Sequence, residues 1–270
     1  MWAFEKAGVS HPNLFRKVAD HINSLDHLHN FKPQELSNTV CAFERAGVAN
    51  PPLLGKVADH VVSLTSLDAF KPQELSNMAW AYALAEAPHP ALFEKIGDHV
   101  AELDCLGAFA PQALSNAVWA FARAGASHPS LFARVGNHVA ALDHLGAFGP
   151  QELSNTLGAF AKAEVLHFFL FARVADHVVA LDDLGTFRPQ ALSNLAWAFA
   201  LTKVSQPRLF DKIADHILAL DTLEEFDEWS LRNTTRAFST AGVRNPRLYE
   251  RLENELSSHG HVMSPDISIP

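Results

Sequence analysis

The stretch Phe70-Lys-Pro-Gln-Glu-Leu-Ser-Asn-Met-Ala-Trp-Ala-Tyr-Ala83 decides the fold, because nearly the same string returns along the chain. Its pattern is repeated at Pro111–Ala122 and at Pro189–Ala200. Phenylalanine recurs every 39 residues, at Phe31, Phe70, Phe109, Phe148, Phe187 and Phe226. A strict period of this size, with no insertion or deletion, indicates stacked supersecondary units.

The sequence of each 39-residue unit predicts two helices. The first runs from about Pro33 to Ala46, since proline suits the first helical turn and Leu36, Val40 and Phe43 lie at helical spacing. Gly47 follows, where glycine commonly ends a helix. The second helix begins at another proline, seen at Pro12, Pro51, Pro90, Pro129, Pro207 and Pro246.

We therefore predict an all-α fold, an α-solenoid of 39-residue helix-turn-helix repeats. By analogy with related arrays, the superhelix is right-handed. One such unit cannot bury its apolar face alone, so neighbouring units must stack. We expect a single array over residues 1–257, with a partial first repeat at 1–30 and repeats starting near residues 31, 70, 109, 148 and 187. A degenerate capping repeat at 226–257 and a disordered tail at 258–270 complete the prediction.

The composition narrows the function classes. The chain is 48% hydrophobic and 19% charged, as globular proteins are. Its formal net charge of −9 argues against a uniformly basic nucleic-acid binder. The two cysteines, Cys41 and Cys105, argue against a disulfide framework. No apolar run reaches the ~18 residues of a membrane helix, so we expect no membrane partner.

The string from Phe70 to Ala83 resembles the octotricopeptide repeat family. It is also similar to the related helical repeats found beside FAST-kinase-like and RAP domains in algae and other protists. The matching pattern is Pro-Gln-x-Leu-x-Asn-x-x-Trp-Ala-x-Ala, and the resemblance extends to about Ser257. It implies sequence-guided RNA binding in a chloroplast or mitochondrion, in support of RNA processing, stability or translation.

One face of each first helix could hold single-stranded RNA. Gln34, Asn38, Cys41 and Arg45 are spaced by four, three and four residues, which places them on one stripe. Amides hydrogen-bond base edges, indole rings stack on bases, and arginine or lysine contacts phosphate. The candidate RNA-binding residues on this first-helix face are Asn38, Arg45, Asn77, Trp80, Asn116, Trp119, Arg123, Asn155, Lys162, Asn194 and Trp197.

Equivalent positions in successive repeats form a column. The asparagine column and the tryptophan column also have a structural interpretation, which we favour. The asparagines could form a ladder that satisfies backbone groups between repeats, and the tryptophans could pack between adjacent first helices. A column that never changes cannot distinguish one base from another, so any sequence preference must come from variable columns. These are the Arg45 column, continued by Leu84, Arg123, Lys162, Leu201 and Thr240, and the Thr39 column, continued by Met78, Ala117, Thr156, Leu195 and Thr234.

A basic column recurs in the second helices, at Lys17, Lys56, Lys95, Arg134, Arg173, Lys212 and Arg251. It lies three residues before an aspartate column that begins with Asp20. Residues at this spacing are neighbours on a helix, so we expect a ladder of exposed ion pairs. The alternative is a rail of cations that contacts phosphate.

A histidine column also recurs in the second helices, at His21, His60, His99, His138, His177 and His216. Stacked helices lie roughly 8–10 Å apart, too far for successive imidazoles to share a zinc ion with Zn–N bonds of ~2 Å. We therefore expect boundary histidines that hydrogen-bond to the neighbouring turn. The His-Pro pairs at His11, His89 and His128 are expected to cap helices.

The repeat that starts near residue 148 departs from the others at two positions. Gly158 stands in the tryptophan column, and Phe168 stands where the second helix otherwise begins with proline. Losing a large side chain and a helix-starting proline is expected to loosen this repeat.

No catalytic motif occurs in the sequence. It contains no phosphate-cradling glycine loop, no Gly-x-Ser-x-Gly elbow, no Cys-x-x-Cys pair and no His-Glu-x-x-His. We therefore predict no enzyme, no cofactor, no metal site and no small-molecule substrate. The leading function is RNA binding, and the alternative is a scaffold for protein or peptide partners, which suits the acidic balance.

Overall fold

A computed structural model of the 270-residue chain describes residues 11–85 and 89–258. The residues before 11 in the partial first repeat, and the predicted tail beyond Ser258, lie outside the described residues. The described residues form thirteen helices and no strand. The helices are α1 (Pro12–Ser24), α2 (Pro33–Arg45), α3 (Pro51–Ser63), α4 (Pro72–Leu84), α5 (Pro90–Glu102), α6 (Pro111–Ala124), α7 (Pro129–Ala140), α8 (Pro150–Lys162), α9 (Phe168–Ala180), α10 (Pro189–Thr202), α11 (Pro207–Ala219), α12 (Glu228–Thr240) and α13 (Pro246–Ser258).

The predicted all-α fold of two-helix repeats is confirmed. Even-numbered helices are the first helices of the repeats, and odd-numbered helices are the second helices. Eleven of the described helices begin with proline, whereas α9 begins at Phe168 and α12 at Glu228. No helix in the described ranges is long and apolar enough to cross a membrane.

The chain divides into two compact units. Unit 1 comprises residues up to 143 together with 162–167, and unit 2 comprises residues 144–161 and those from 168 onward. In unit 1, the first helices α2, α4 and α6 pack in succession, and α1, α3, α5 and α7 form a second row. In unit 2, α10 packs against α12, and α9, α11 and α13 form the second row. Each unit is thus a stack of helical hairpins, the arrangement of an α-solenoid. A single array over 1–257 and its handedness stay predictions.

Paired phenylalanines link several second helices to the next first helix. In unit 1, the ring centroids of Phe15 and Phe43 lie 5.1 Å apart with the rings edge to face. In unit 2, Phe210 and Phe238 lie 5.0 Å apart in the same arrangement. All four rings are buried. Such pairs contribute about 0.5–1.5 kcal/mol beyond the area they bury, so the same contact stabilises repeats in both units.

Small serines allow the first helices to approach one another closely. Ser37 Oγ donates a hydrogen bond to the carbonyl oxygen of Glu74 in the next repeat, at 3.0 Å. Ser76 Oγ instead donates to the carbonyl oxygen of Gln73 in its own helix, at 3.2 Å. Each buried hydroxyl therefore has a partner. The members of the column, Ser37, Ser76, Ser115, Ser154 and Ser193, are all buried.

The basic column joins successive second helices within each unit. Lys56 Nζ donates to the carbonyl oxygens of Asn23, at 2.9 Å, and of Leu25, at the end of α1. The last carbonyls of a helix have no partner within it, and a cation there also meets the negative end of the helix dipole. This differs from both sequence expectations, the ion-pair ladder and the phosphate rail. Equivalent bonds are made by Lys95, Arg134, Lys212 and Arg251.

The predicted histidine caps are confirmed at His89 and His128, which also bridge neighbouring repeats, whereas His11 stands at the N-cap of α1 and makes no side-chain cap hydrogen bond. Nδ1 of His128 accepts a hydrogen bond from the backbone N–H of Leu131 at 3.1 Å. Its Nε2 lies 3.2 Å from Oδ1 of Asp98 on the preceding second helix. His89 makes the same two contacts. A Cβ added at Gly97 would lie 2.4 Å from the His128 ring, which explains a glycine inside α5.

Five of the first helices are followed by a left-handed residue, as the glycine signal predicted for Gly47. This position has a φ of 62° to 69° at Gly47, Gly125 and Gly242. In the same column, Glu164 and Lys203 have a φ of 57°. The left-handed conformation costs a residue with a Cβ roughly 1–2 kcal/mol, so these two positions are strained.

Replacing Lys203 by glycine is expected to stabilise the protein, because glycine adopts positive φ without a steric penalty. We expect Lys203→Gly to have a free energy of unfolding about 1 kcal/mol above that of Lys203→Ala, which keeps the strain. Denaturant unfolding followed by circular dichroism measures the difference. The reverse change, Gly125→Ala, is expected to lose a similar amount. Equal stability of the two Lys203 variants would contradict the assignment.

Lys95→Met is expected to destabilise the protein, because it removes the donor that satisfies carbonyls at the end of α3. Hydrogen bonds from a charged donor contribute about 1.5–3 kcal/mol, and we expect a loss of this size. The matched control is Lys71→Met, since Lys71 is exposed and such surface changes stay within about 0.5 kcal/mol. Indistinguishable unfolding curves for the two variants would show that Lys95 does not act as a cap.

Candidate nucleic-acid interface

The predicted candidate residues lie on the accessible side of the first helices. Asn38 is exposed on α2, and the tryptophans lie about one helical turn beyond the asparagines on the same stripe. The packing side of the same helices holds the buried leucine, serine and phenylalanine columns. The half-buried members of the face are Asn77, Trp80, Asn116, Trp119, Arg123, Asn155, Asn194 and Trp197, and its exposed members are Asn38, Arg45 and Lys162.

The repeats that start near residues 31 and 70 show how the face is arranged in unit 1. Gln73 Nε2 donates a hydrogen bond to Oδ1 of Asn77 at 2.8 Å. The guanidinium carbon of Arg45 lies 5.7 Å from the ring centroid of Trp80, within the range of a cation–π contact. Cys41 holds the tryptophan position of α2, where it is buried and donates to the carbonyl oxygen of Asn77. An amide pair, an indole and a cation therefore follow one another along the face.

The asparagine ladder is present at one end of the column. Asn233 Nδ2 donates to the carbonyl oxygen of Ser193 in the preceding repeat, at 3.3 Å. No side-chain hydrogen bond is formed by Asn116, Asn155 or Asn194 within the part of the chain that the structure describes. These three amides therefore keep their donors and acceptors for solvent or a ligand.

The tryptophans combine packing with accessibility. Trp80, Trp119 and Trp197 are half-buried, so part of each indole packs on protein and part meets solvent. A partly exposed indole face is what stacking by a nucleobase requires, so the two interpretations of this column are compatible. Gly158 leaves the position empty in α8, and a Cβ added there would meet no atom within 4 Å.

Three cations lie at the C-terminal ends of first helices. Arg45 and Lys162 are exposed, and Arg123 is half-buried. The pKa of Lys162 is lowered, first by partial burial and second by the positive charge of Arg123. Arg123 therefore lies close enough to influence Lys162, and the two cations make this end of the face basic.

The expectation that the Thr39 column could read a ligand is wrong. Its members after Thr39 are at most 3% exposed, and Thr39 Oγ1 donates to the carbonyl oxygen of Glu35 in its own helix. The residue after each asparagine lies about 100° further round the helix, which turns it into the core. The Arg45 column differs, since Arg45, Leu84, Arg123, Lys162, Leu201 and Thr240 are all exposed or half-buried.

Two exposed phenylalanines were missed by the sequence analysis. Phe168 is 59% exposed and Phe169 is 73% exposed, at the start of α9. Their ring centroids lie 6.0 Å apart. The signal was present, because Phe168 stands where proline is otherwise found, but it predicted a loosened repeat instead of an apolar surface.

The histidine column belongs to the second helices. Burial lowers the pKa of His60, His138, His177 and His216. His99 Nδ1 lies 3.8 Å from Oδ1 of Asp68 in the neighbouring turn. The predicted location of the histidine beside that turn is therefore confirmed for His99. Within the described ranges, no group of three or more His, Cys, Asp and Glu side chains is placed to hold a metal ion.

Comparison with known proteins identifies a family. The family model of the RNA-editing substrate-binding complex 6 protein matches residues 109–261, more than half of the 270 residues. This is a different family from the octotricopeptide and FAST-kinase-associated repeats that the resemblance named. Only the coarser prediction, a helical repeat protein of an RNA-associated family, is therefore confirmed. A search of curated proteins finds no match. The chain belongs to the RNA-editing substrate-binding complex 6 protein family.

Proposed function

We propose that the protein binds single-stranded RNA along its first-helix face and does not act as an enzyme. The observation that carries this proposal is the recurrence of partly exposed asparagine amides and tryptophan rings on successive first helices, with cations at the ends of three of them. The name of the family refers to a complex that binds RNA-editing substrates, which supports RNA as the ligand. RNA-editing substrates are then the proposed class of ligand.

The chemistry of the face suits unpaired bases. Stacking of a base on an aromatic side chain contributes about 1–3 kcal/mol and tolerates any base. An amide beside the ring can donate to and accept from the exposed edge of the same base. Helical arrays that read RNA can place one base on each repeat. We propose the same correspondence of one base to one repeat for this protein.

The negative charge of the chain limits the affinity without excluding RNA. Many of the acids are aspartates of the second helices and turns, and Asp59 and Asp98 among them bond histidine caps. Arg45, Arg123 and Lys162 lie on the first helices. Because phosphate contacts release counterions from RNA, we expect weak binding that salt reduces.

The triple variant Arg45→Ala/Arg123→Ala/Lys162→Ala is expected to lose most of this binding. The measurement is affinity for a pool of random single-stranded RNA at several salt concentrations. Each phosphate contact on a single strand adds roughly 0.7 to the slope of log affinity against log salt, so the variant's slope should be shallower by about 2.

The matched control is Arg208→Ala/Arg244→Ala/Arg247→Ala, which removes the same charge from exposed positions at or before the starts of α11 and α13. Its salt slope is expected to match that of the unmodified protein. Equal losses in the two triple variants would show that RNA responds to net charge and not to the first-helix face. Failure of the unmodified protein to bind at low salt would remove RNA as the ligand.

The role in organellar RNA processing, stability or translation is also a proposal. It is supported by the resemblance of the first-helix string, and the reference to RNA editing in the family name is compatible with it. Imaging of the tagged protein in its own cells tests the compartment, and diffuse cytosolic signal would contradict it.

A protein partner is the second candidate function, and Phe168 and Phe169 are the observation that favours it. Large apolar side chains this exposed, 59% and 73%, are typical of protein contact sites when they adjoin one another. This candidate is tested if the unmodified protein binds no RNA. A protein partner that binds the unmodified chain should then be lost from the variant Phe168→Ser/Phe169→Ser.

A further inference from the structure

A side chain that discriminates between bases must vary from repeat to repeat, and it must also be accessible. The asparagine column is accessible, but it is the same in all six first helices. The Thr39 column varies, but five of its six members are at most 3% exposed. Three positions of the tryptophan column hold indole, which stacks on every base. The Arg45 column both varies and is accessible along its whole length.

We infer that the Arg45 column decides which base each repeat prefers. The inference rests on the proposed RNA binding and narrows it to the residues that make the choice. The asparagine and tryptophan columns then supply contacts that any sequence can use. The variable members of the column are Arg45, Leu84, Arg123, Lys162, Leu201 and Thr240.

The position of the column supports this role. Arg45 lies seven residues after Asn38, which is two helical turns along the same stripe. Its guanidinium carbon lies 5.7 Å from the ring centroid of Trp80 in the next repeat. The guanidinium therefore lies over the ring, so a base that stacks on the accessible part of Trp80 comes close to the Arg45 side chain. Asn77 lies on the same helix as Trp80 and offers an amide to that base.

The residue types in the column offer different hydrogen-bonding groups. Arginine and lysine only donate, so they suit a base edge with two acceptors, as N7 and O6 of guanine provide. Leu84 and Leu201 neither donate nor accept, so their repeats should tolerate any base. Thr240 can do both. Repeats with Arg45, Arg123 or Lys162 are therefore selective for acceptor-rich edges, and those with leucine are permissive.

The test exchanges two neighbouring members of the column in unit 1. Leu84→Arg/Arg123→Leu keeps composition and net charge, and it moves one cation from α6 to α4. Selection of random short RNA, read by sequencing, gives the preference at each position of the bound site. We expect a preference of about tenfold for guanine to move by one nucleotide.

The control exchange, Lys71→Ala/Ala110→Lys, also moves one cation between the same two helices. Lys71 and Ala110 are exposed and directly precede α4 and α6, at the opposite end from the Arg45 column, so no preference should move. A second test variant is Leu201→Arg. Leu201 is 45% exposed, so arginine can replace it without disturbing the core, and it should create a new preference.

The outcomes separate this inference from the function on which it rests. A shift that follows the Leu84/Arg123 exchange but not the control, with a new preference in Leu201→Arg, is the expected result. RNA binding by all variants with unchanged preferences would overturn the inference, because these cations would then contact phosphate only, and it would leave RNA binding intact. If the unmodified protein binds no RNA, the proposed function fails and the inference fails with it.

Discussion

The stacking of the repeats depends on hydrogen bonds that a basic side chain donates to the open carbonyl groups of the preceding second helix. Lys56, Lys95 and Arg134 make these bonds in unit 1, and Lys212 and Arg251 make them in unit 2. A second helix that lacked its successor would leave those carbonyls without a protein partner. Within each unit, a hairpin that makes this contact is therefore completed by the next one, which is the physical basis of nearest-neighbour stability in repeat arrays. Ser37 joins two first helices of the other row, and the edge-to-face phenylalanines connect the two rows.

This use of side chains leaves one face of the first helix partly accessible to solvent. The basic column, the histidine caps and part of the aspartate column are occupied with joining second helices. Leucine, serine and phenylalanine of the first helices are buried between repeats. The stripe from Asn38 to Arg45 is what remains, and it recurs with each repeat. Substitutions in the Arg45 column should disturb the stack least where the side chain is exposed, as it is at Arg45, Lys162, Leu201 and Thr240.

Much of the fold could be predicted from the sequence, because its signals are local. Proline at the start, glycine after the end and a strict 39-residue period set the helix bounds to within about one residue. The histidines before proline predicted the caps because a cap is also a local feature. Its side chain accepts a hydrogen bond from a backbone N–H of the helix that it precedes. The sequence also placed the asparagine and tryptophan side chains on one face, because that depends only on helical spacing.

Features that depend on contacts between repeats were not predictable. Lys95 has an aspartate three residues away in sequence, but its actual partners, Val62 and Leu64, are 33 and 31 residues away. Burial of the Thr39 column depends on how far the neighbouring helix covers the first helix, which the pattern does not reveal. The strained Lys203 could have been found by aligning it with Gly125, but lysine itself gives no sign of positive φ.

The most direct measurement is ultraviolet cross-linking of the protein to single-stranded RNA, with the modified peptides identified by mass spectrometry. If the first-helix face binds RNA, cross-links concentrate in α4, α6 and α10, which carry Trp80, Trp119 and Trp197. The second helices α3, α5 and α11 should then remain at background. Cross-links concentrated in the second helices, or at Phe168 and Phe169, would contradict the assignment of the RNA-binding face.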